Sequence, residues 1–271
     1  MRSSRPSRRA LLGVAGLAVA GPLAACDRGT PAPPSPTSSA PPAPSASAPP
    51  PSASVAPRPS PSRAAQAAPA PGPDITHGPR TRDAVALTFH GDGPDEIVRG
   101  VLAALARADA RVTVLAIGRW LAAEPRLAGM IRDGGHELGN HTWSHQPMTH
   151  LGPGQVRTEV DRAATELVRL TGSPGRWFRP SGTPHSTPAV RAAATAAGYG
   201  ACLGYDVDPL DYTDPGPAAI RRATAGAVRP GSVVSLHLGH PGTLTALPGV
   251  LRDLHDRGLA PVTASELLLN G

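Results

Sequence analysis

Between Pro31 and Pro73 the chain is almost entirely proline, serine and alanine, and Val55 is the only large aliphatic residue in the stretch. Such a segment cannot bury enough apolar surface to offset its ordering entropy, so it dictates where a core can form. It is expected to be a disordered Pro/Ala/Ser-rich linker. Held extended by its prolines at about 3.1 Å per residue, it would reach on the order of 100 Å. A packed domain is therefore expected only over residues 74–271.

Ahead of the linker, Arg2, Arg5, Arg8 and Arg9 precede "ALLGVAGLAVAGPLAA", an apolar run too short and too rich in glycine and alanine for a comfortable membrane span. Residues 1–25 read as an export signal. The run ends in "LAAC", Leu23 to Cys26, which resembles the lipobox of bacterial lipoproteins, where the signal is cut before a cysteine that then carries lipid. The resemblance implies a lipidated Cys26, with residues 26–73 as a tether from the bacterial cell membrane toward the wall. An ordinary signal with an incidental cysteine would instead give a secreted protein. "SRRALL", residues 7 to 12, also resembles a twin-arginine signal.

The formal charge of +6 is concentrated in that signal: without its four arginines, 22 basic residues face 20 acidic ones. No basic stripe with interleaved aromatics remains, so nucleic acid is not an expected partner. With Cys26 assigned to lipid, Cys202 has no partner for an intrachain disulfide and reads as an inert buried thiol. A monomer is expected.

After Asp74 short β-like runs alternate with helical ones, the pattern of an α/β fold with parallel strands. Strands are expected at "AVALTF" (84–89), "RVTVLAI" (111–117), "HELG" (136–139), "RWF" (176–178), "ACLGY" (201–205), "SVVSLH" (232–237) and "APVT" (260–263). "DEIVRGVLAALARA", "QVRTEVDRAATELVRL" and "LPGVLRDLHDRG" carry apolar residues at helical spacing with charges on the other face. Seven strands suit a barrel or an open doubly wound sheet, and in either the chemistry gathers at the C-terminal strand ends.

Two segments carry groups for chemistry. In "GHELGNHTWSHQPM", residues 135 to 148, His141 and His145 lie four apart just after a strand end, the spacing of a divalent-metal pair that needs further ligands from elsewhere. No glutamate adjoins His141, which excludes the zinc-peptidase pattern. In "ALTFHGDGPDE", residues 86 to 96, Gly91 and Gly93 break a strand, and Pro94, Asp95 and Glu96 suit a helix start. That places His90 and Asp92 at a strand's C-terminal end. From this segment alone, Asp92 reads equally as a site carboxylate or as the polar residue of a turn.

"LTFHGDGP", "GHELGNHTWSHQPM", "WFRPSG", "YDVDPLDY" and "SLHLGHP" are similar, in order and approximate spacing, to the five motifs of the NodB-type polysaccharide deacetylases, carbohydrate esterase family 4. The resemblance spans residues 80–268. It implies a deformed (β/α)7-type barrel and a divalent metal, zinc first with cobalt or another ion as alternatives, held by one aspartate and two histidines. It further implies hydrolysis of N-acetyl groups on a glycan such as peptidoglycan or a chitin-like polymer. An amide needs a Lewis acid, a base for water and an acid for the leaving nitrogen. By resemblance His141 and His145 bind the metal, His237 protonates the amine, Asp211 orients His237, and Arg179 supports the base.

The first motif departs from the family's TFDDG, in which one aspartate is the base and the next a ligand, because only one carboxylate is present here. Aligned from the right, Asp92 becomes the third ligand and His90 the base, which is the preferred assignment; His90 as ligand with Asp92 as base ranks second. Ser181 and Gly182 replace the usual Pro-Tyr, and Leu238 follows His237 where aspartate is common. His240 reads as a site neighbour; His77, His150, His185 and His255 as loop or surface residues; His136 as part of a strand; and Trp143 as packing. Two alternatives to the N-deacetylase stand: a non-catalytic glycan-binding lipoprotein on the same fold, and an O-acetyl esterase of the xylan type.

Overall fold

The computed structural model describes residues 70–269. The segments expected to be an export signal (residues 1–25), a lipidation site (Cys26) and a linker (up to residue 69) lie outside the described residues. The elements in chain order are β1 (Asp74–Ile75), β2 (Ala84–Gly91), α1 (Asp95–Arg107), β3 (Thr113–Ala116), α2 (Gly118–Ala123), α3 (Pro125–Asp133), β4 (Glu137–Asn140), α4 (Pro153–Thr171), α5 (Pro188–Ala196), β5 (Cys202–Leu203), α6 (Pro217–Ala227), β6 (Val233–His237), α7 (Pro241–Asp256), β7 (Ala260–Val262) and α8 (Ala264–Leu269).

Every ladder between these strands is parallel. β2 is the central stave: β6 pairs along one edge, while β7 and β3 share the other, β7 against Ala84–Ala86 and β3 against Thr88–Gly91. β4 follows β3, and single parallel bridges at Phe178 carry the sheet from Asn140 to Cys202. The ring closes where Val207, just past β5, bridges Val234 of β6. This is the deformed α/β barrel expected from the sequence. "RWF" contributes only those bridges at Phe178 rather than a strand, and β1, too short for a periodic signal, pairs with β5.

Period-two alternation sorts the strand residues into two layers. Val85, Leu87 and Phe89 of β2, Val114 of β3 and Val234 and Leu236 of β6 face the helices. Ala84, Ala86, Leu115, Val233, Trp177 and Leu203 fill the barrel interior. Burying side chains the size of Leu87 or Phe89 contributes roughly 1.5–3 kcal/mol each. α4 ends on Gly172 at φ 78, a left-handed cap suited to glycine. α7 begins at Pro241, six residues before the expected helix, and runs through Pro248.

The interior face of β2 continues past Ala84, Ala86 and Thr88 to His90, and that of β6 past Val233 and Ser235 to His237; the two histidines are register partners. His141 directly follows β4, and its N–H donates to the Ala116 carbonyl at 2.9 Å. The parallel arrangement thus delivers all three imidazoles to one mouth.

Gly139 of β4 tests the tightness of this packing. A Cβ there would meet the Trp177 carbonyl oxygen and Leu115 Cδ2, each at 2.7 Å, whereas one at Gly154 of α4 would meet nothing within 4 Å. Gly139→Ala is expected to lower stability in urea unfolding by roughly 1–3 kcal/mol. Gly154→Ala should leave it unchanged or raise it by up to about 1 kcal/mol.

Candidate metal centre

Three histidines converge at the mouth. His90, His141 and His145 each offer a ring nitrogen, and the three atoms lie within 4.8 Å of one another. His141 is fully buried. Its Nδ1 donates to the Arg179 carbonyl at 3.0 Å, which fixes the tautomer and leaves the Nε2 lone pair free. That Nε2 is buried without a hydrogen-bond partner among the described residues. An orphaned buried acceptor beside two further imidazoles fits a cation.

Burial first, and then the neighbouring histidines, hold the His90 and His141 imidazoles well below their ordinary range, so both are neutral at neutral pH. His145 is lowered less, chiefly by burial, with Asp92 and Glu159 opposing the shift. Neutral imidazole is the form that ligates.

The grouping differs at one position from the set preferred on sequence grounds. His90, on the last interior position of β2, joins the cluster; Asp92 lies beyond the strand end, exposed, and lines the cleft instead. The cause is the extent of β2: it stays paired through Gly91, so His90 keeps the inward direction set by Ala86 and Thr88, and the chain turns outward only afterwards. Ser235 Oγ lies 3.3 Å from His90 Nε2.

His237 and Asp211 form the expected pair. Asp211 is fully buried, and its Oδ1 lies 2.7 Å from His237 Nδ1. Its Oδ2 accepts the His237 N–H at 2.8 Å and the Thr243 hydroxyl at 2.6 Å. With Nδ1 so held, His237 Nε2 is the free nitrogen. The His237 ring stands 4.4 Å from His90 and 5.8 Å from His240, whose Nδ1 lies 3.0 Å from Asp214 Oδ1. Five imidazoles, from His145 through His141, His90 and His237 to His240, therefore form a continuous row.

Arg179 is buried, and burial pulls its guanidinium down to about 9. It donates to the carbonyls of Leu203 at 2.8 Å and Gly204 at 2.9 Å, while Nη1 has no partner among the described residues. No carboxylate pairs with it there, as befits a first motif with a single acid. Its clearest contact with the centre is the carbonyl that orients His141.

Further residues complete the surroundings, of which Asn140, Thr142 and Glu159 had no assigned role in the sequence. Asn140 Oδ1 accepts the Thr142 N–H at 2.8 Å. Ser181 links the Thr142 hydroxyl to the Gln146 carbonyl, and Gly182, at φ 67, sits where a Cβ would meet Pro147 Cα at 2.8 Å. Glu159 of α4 accepts three hydrogen bonds from Trp143 and Ser144. Its sequence signal was an acid within the buried stripe of Val156, Val160, Ala163 and Leu167. The cleft above the centre encloses about 420 Å³, with Tyr205, Asp208 and Tyr212 in its walls. A larger cavity of about 750 Å³, between α1, α7 and the start of β7, holds none of these groups.

The lowered imidazoles have a consequence for stability. Their folded-state values lie below the ordinary 6.5, so the unfolded chain takes up protons first as pH falls. The stabilisation is intact above 6.5 and is lost below it; buried His136 adds in the same direction. The urea midpoint of metal-free protein is expected to be lower at about pH 5.5 than at about pH 7.5, and His141→Gln should reduce the difference. Equal midpoints would show that these rings are not held neutral by burial.

The sequence pattern of the polysaccharide deacetylase family matches residues 77–202. The chain is 31% identical to a chitooligosaccharide deacetylase of Rhizobium leguminosarum, over 69% of this chain and 90% of the relative. It is also 31% identical to a peptidoglycan-N-acetylglucosamine deacetylase of Bacillus cereus, over 70% of this chain and 90% of the relative. Against the uncharacterized protein YlxY of Bacillus subtilis the identity is 24%, over 72% of this chain and 60% of that protein's length. Among solved structures, BA3943 of Bacillus anthracis, described as a CE4 family pseudoenzyme, superposes with a TM-score of 0.68 at 26% identity, over 73% of this chain and 69% of that one. On these matches and on its barrel, the chain belongs to the polysaccharide deacetylase family, hydrolases of carbon–nitrogen bonds.

Proposed function

We propose that the protein is a metal-dependent hydrolase removing N-acetyl groups from a cell-envelope glycan, with zinc as its ion, working at the end of a lipid-anchored tether that faces the wall. The observation that carries this reading is the buried Nε2 of His141, without a hydrogen-bond partner among the described residues, beside His90 and His145. The relatives named for chitooligosaccharide and peptidoglycan N-acetylglucosamine deacetylation support the substrate class.

His90, His141 and His145 are the ligand set this geometry favours. A divalent ion held there supplies a Lewis acid for the acetyl carbonyl and lowers the pKa of water. Asp92, at the solvent side of the cleft, is then the carboxylate available to take a proton from water. His237 gives a proton from Nε2 to the departing amine, while Asp211 keeps the other proton on Nδ1 and stabilises the imidazolium. Arg179 acts through the orientation of His141. Tyr205 and Tyr212 wall the space for a sugar ring.

Two observations favour a second reading, a non-catalytic glycan binder: the first motif has a single carboxylate, and a structural neighbour is itself described as a pseudoenzyme, a mutant of which is described as having restored activity.

Full-length protein loaded with zinc and given N-acetylglucosamine oligomers is expected to release acetate. His141→Ala should reduce release by more than about a hundredfold, and removal of zinc by chelation should abolish it. Saturable glycan binding with no acetate formed, after both zinc and cobalt are supplied, would establish the second reading. Faster release from acetylated xylan than from the oligomers would make the protein an O-acetyl esterase. In a bacterial host the parent is expected in the membrane fraction and Cys26→Ser in the soluble one; an unchanged distribution would rule out the lipid anchor.

A further inference from the structure

The 141–145 loop is held by α4 from one side and α2 from the other. Glu159, 8% exposed, accepts the N–H groups of Trp143 at 3.0 Å and Ser144 at 2.8 Å through Oε2, and the Ser144 hydroxyl at 2.7 Å through Oε1. Among the described residues no basic side chain forms an ion pair with this carboxylate; its charge is met by the loop alone. Three residues on along α4, the Arg162 guanidinium carbon stands 4.1 Å from the Trp143 ring centroid. From α2, the N–H groups of Gly118 and Arg119 donate to the carbonyls of Thr142 and Trp143 at 2.9 and 3.0 Å. Trp143 occupies the space a side chain at Gly118 would need, with Cε3 2.6 Å from the position of a Cβ.

The loop needs such holding. Thr142 at φ 70 and His145 at φ 63 are left-handed non-glycine residues, and Thr142 is β-branched. Such conformations persist only where the surroundings over-determine them.

We propose that Glu159 is a positioning residue for the metal centre. It fixes the loop so that His141 and His145 present their nitrogens before an ion arrives. Its negative charge, relayed through the two N–H groups it orients, offsets the charge of an ion whose nearest groups are three neutral imidazoles. Glu159 touches neither ion nor substrate. The inference rests on the reading of His90, His141 and His145 as ligands.

The test is zinc affinity of the full chain, measured by competition with a chromophoric chelator, together with the visible spectrum of the cobalt-loaded protein. Glu159→Gln is expected to weaken zinc about 10–100-fold and to shift the cobalt bands, with an unchanged far-ultraviolet circular dichroism spectrum. Glu166→Gln, on the same helix and paired with Arg169, should change neither. Ser144→Ala removes one donor and keeps the carboxylate; it should weaken zinc by a few-fold, and it decides the matter if Glu159→Gln does not fold. Parent-like affinity and spectrum in folded Glu159→Gln, or in Ser144→Ala where that variant decides, would overturn the inference and leave the metal centre standing. A parent protein that binds no zinc would overturn both.

Discussion

The hydrogen bond from His141 Nδ1 to the Arg179 carbonyl is the interaction on which the mouth of this barrel is built. It joins the end of β4 to the bridged segment at Phe178, since Arg179 N–H in turn donates to the Asn140 carbonyl at 2.9 Å. It commits the imidazole to one tautomer and leaves a lone pair that no described residue satisfies. Burial of such an acceptor is unfavourable by about 1–3 kcal/mol unless something else occupies it. The fold accepts that penalty at the point where three histidines meet, which is why the arrangement reads as a binding centre and not as a satisfied core.

Much of this was legible in the sequence. Strand-like runs placed β2, β3, β4, β6 and β7 near their observed positions, and three of the five short motifs fell at strand ends, those of β2, β4 and β6. Harder to read was how far β2 would stay paired. With Gly91 still in register against Ala116, His90 points inward and Asp92 falls outside, a difference of direction that no spacing rule resolves. Phe178 likewise belongs to the sheet through isolated bridges that a run of three residues cannot announce. Glu159 was missed for another reason: an acid on a helix is ordinarily solvated, and only its place in the buried stripe of α4 marks it as different.

The distribution of charge also distinguishes this site. Asp211 and Glu159 are buried; Glu159 accepts from N–H and O–H donors, and Asp211 from these and from the His237 imidazole, with no arginine paired to either among the described residues. Arg179, in contrast, is a buried cation whose Nη1 finds no partner among the described residues. The first motif carries one carboxylate where the resemblance implies two, and that one, Asp92, lies at the solvent side of the cleft. The centre is more electropositive than a paired-carboxylate version would be.

Asp211 and Asp214 sit at the two ends of one short 3-10 turn, bounded by left-handed Leu210 at φ 55 and Asp214 at φ 53, and each engages one histidine of the β6–α7 connection. Both carboxylates are carried by that one turn. A displacement of that turn's backbone, by a ligand against Tyr212 or by a substitution nearby, would carry the partners of the inner and the outer imidazole together.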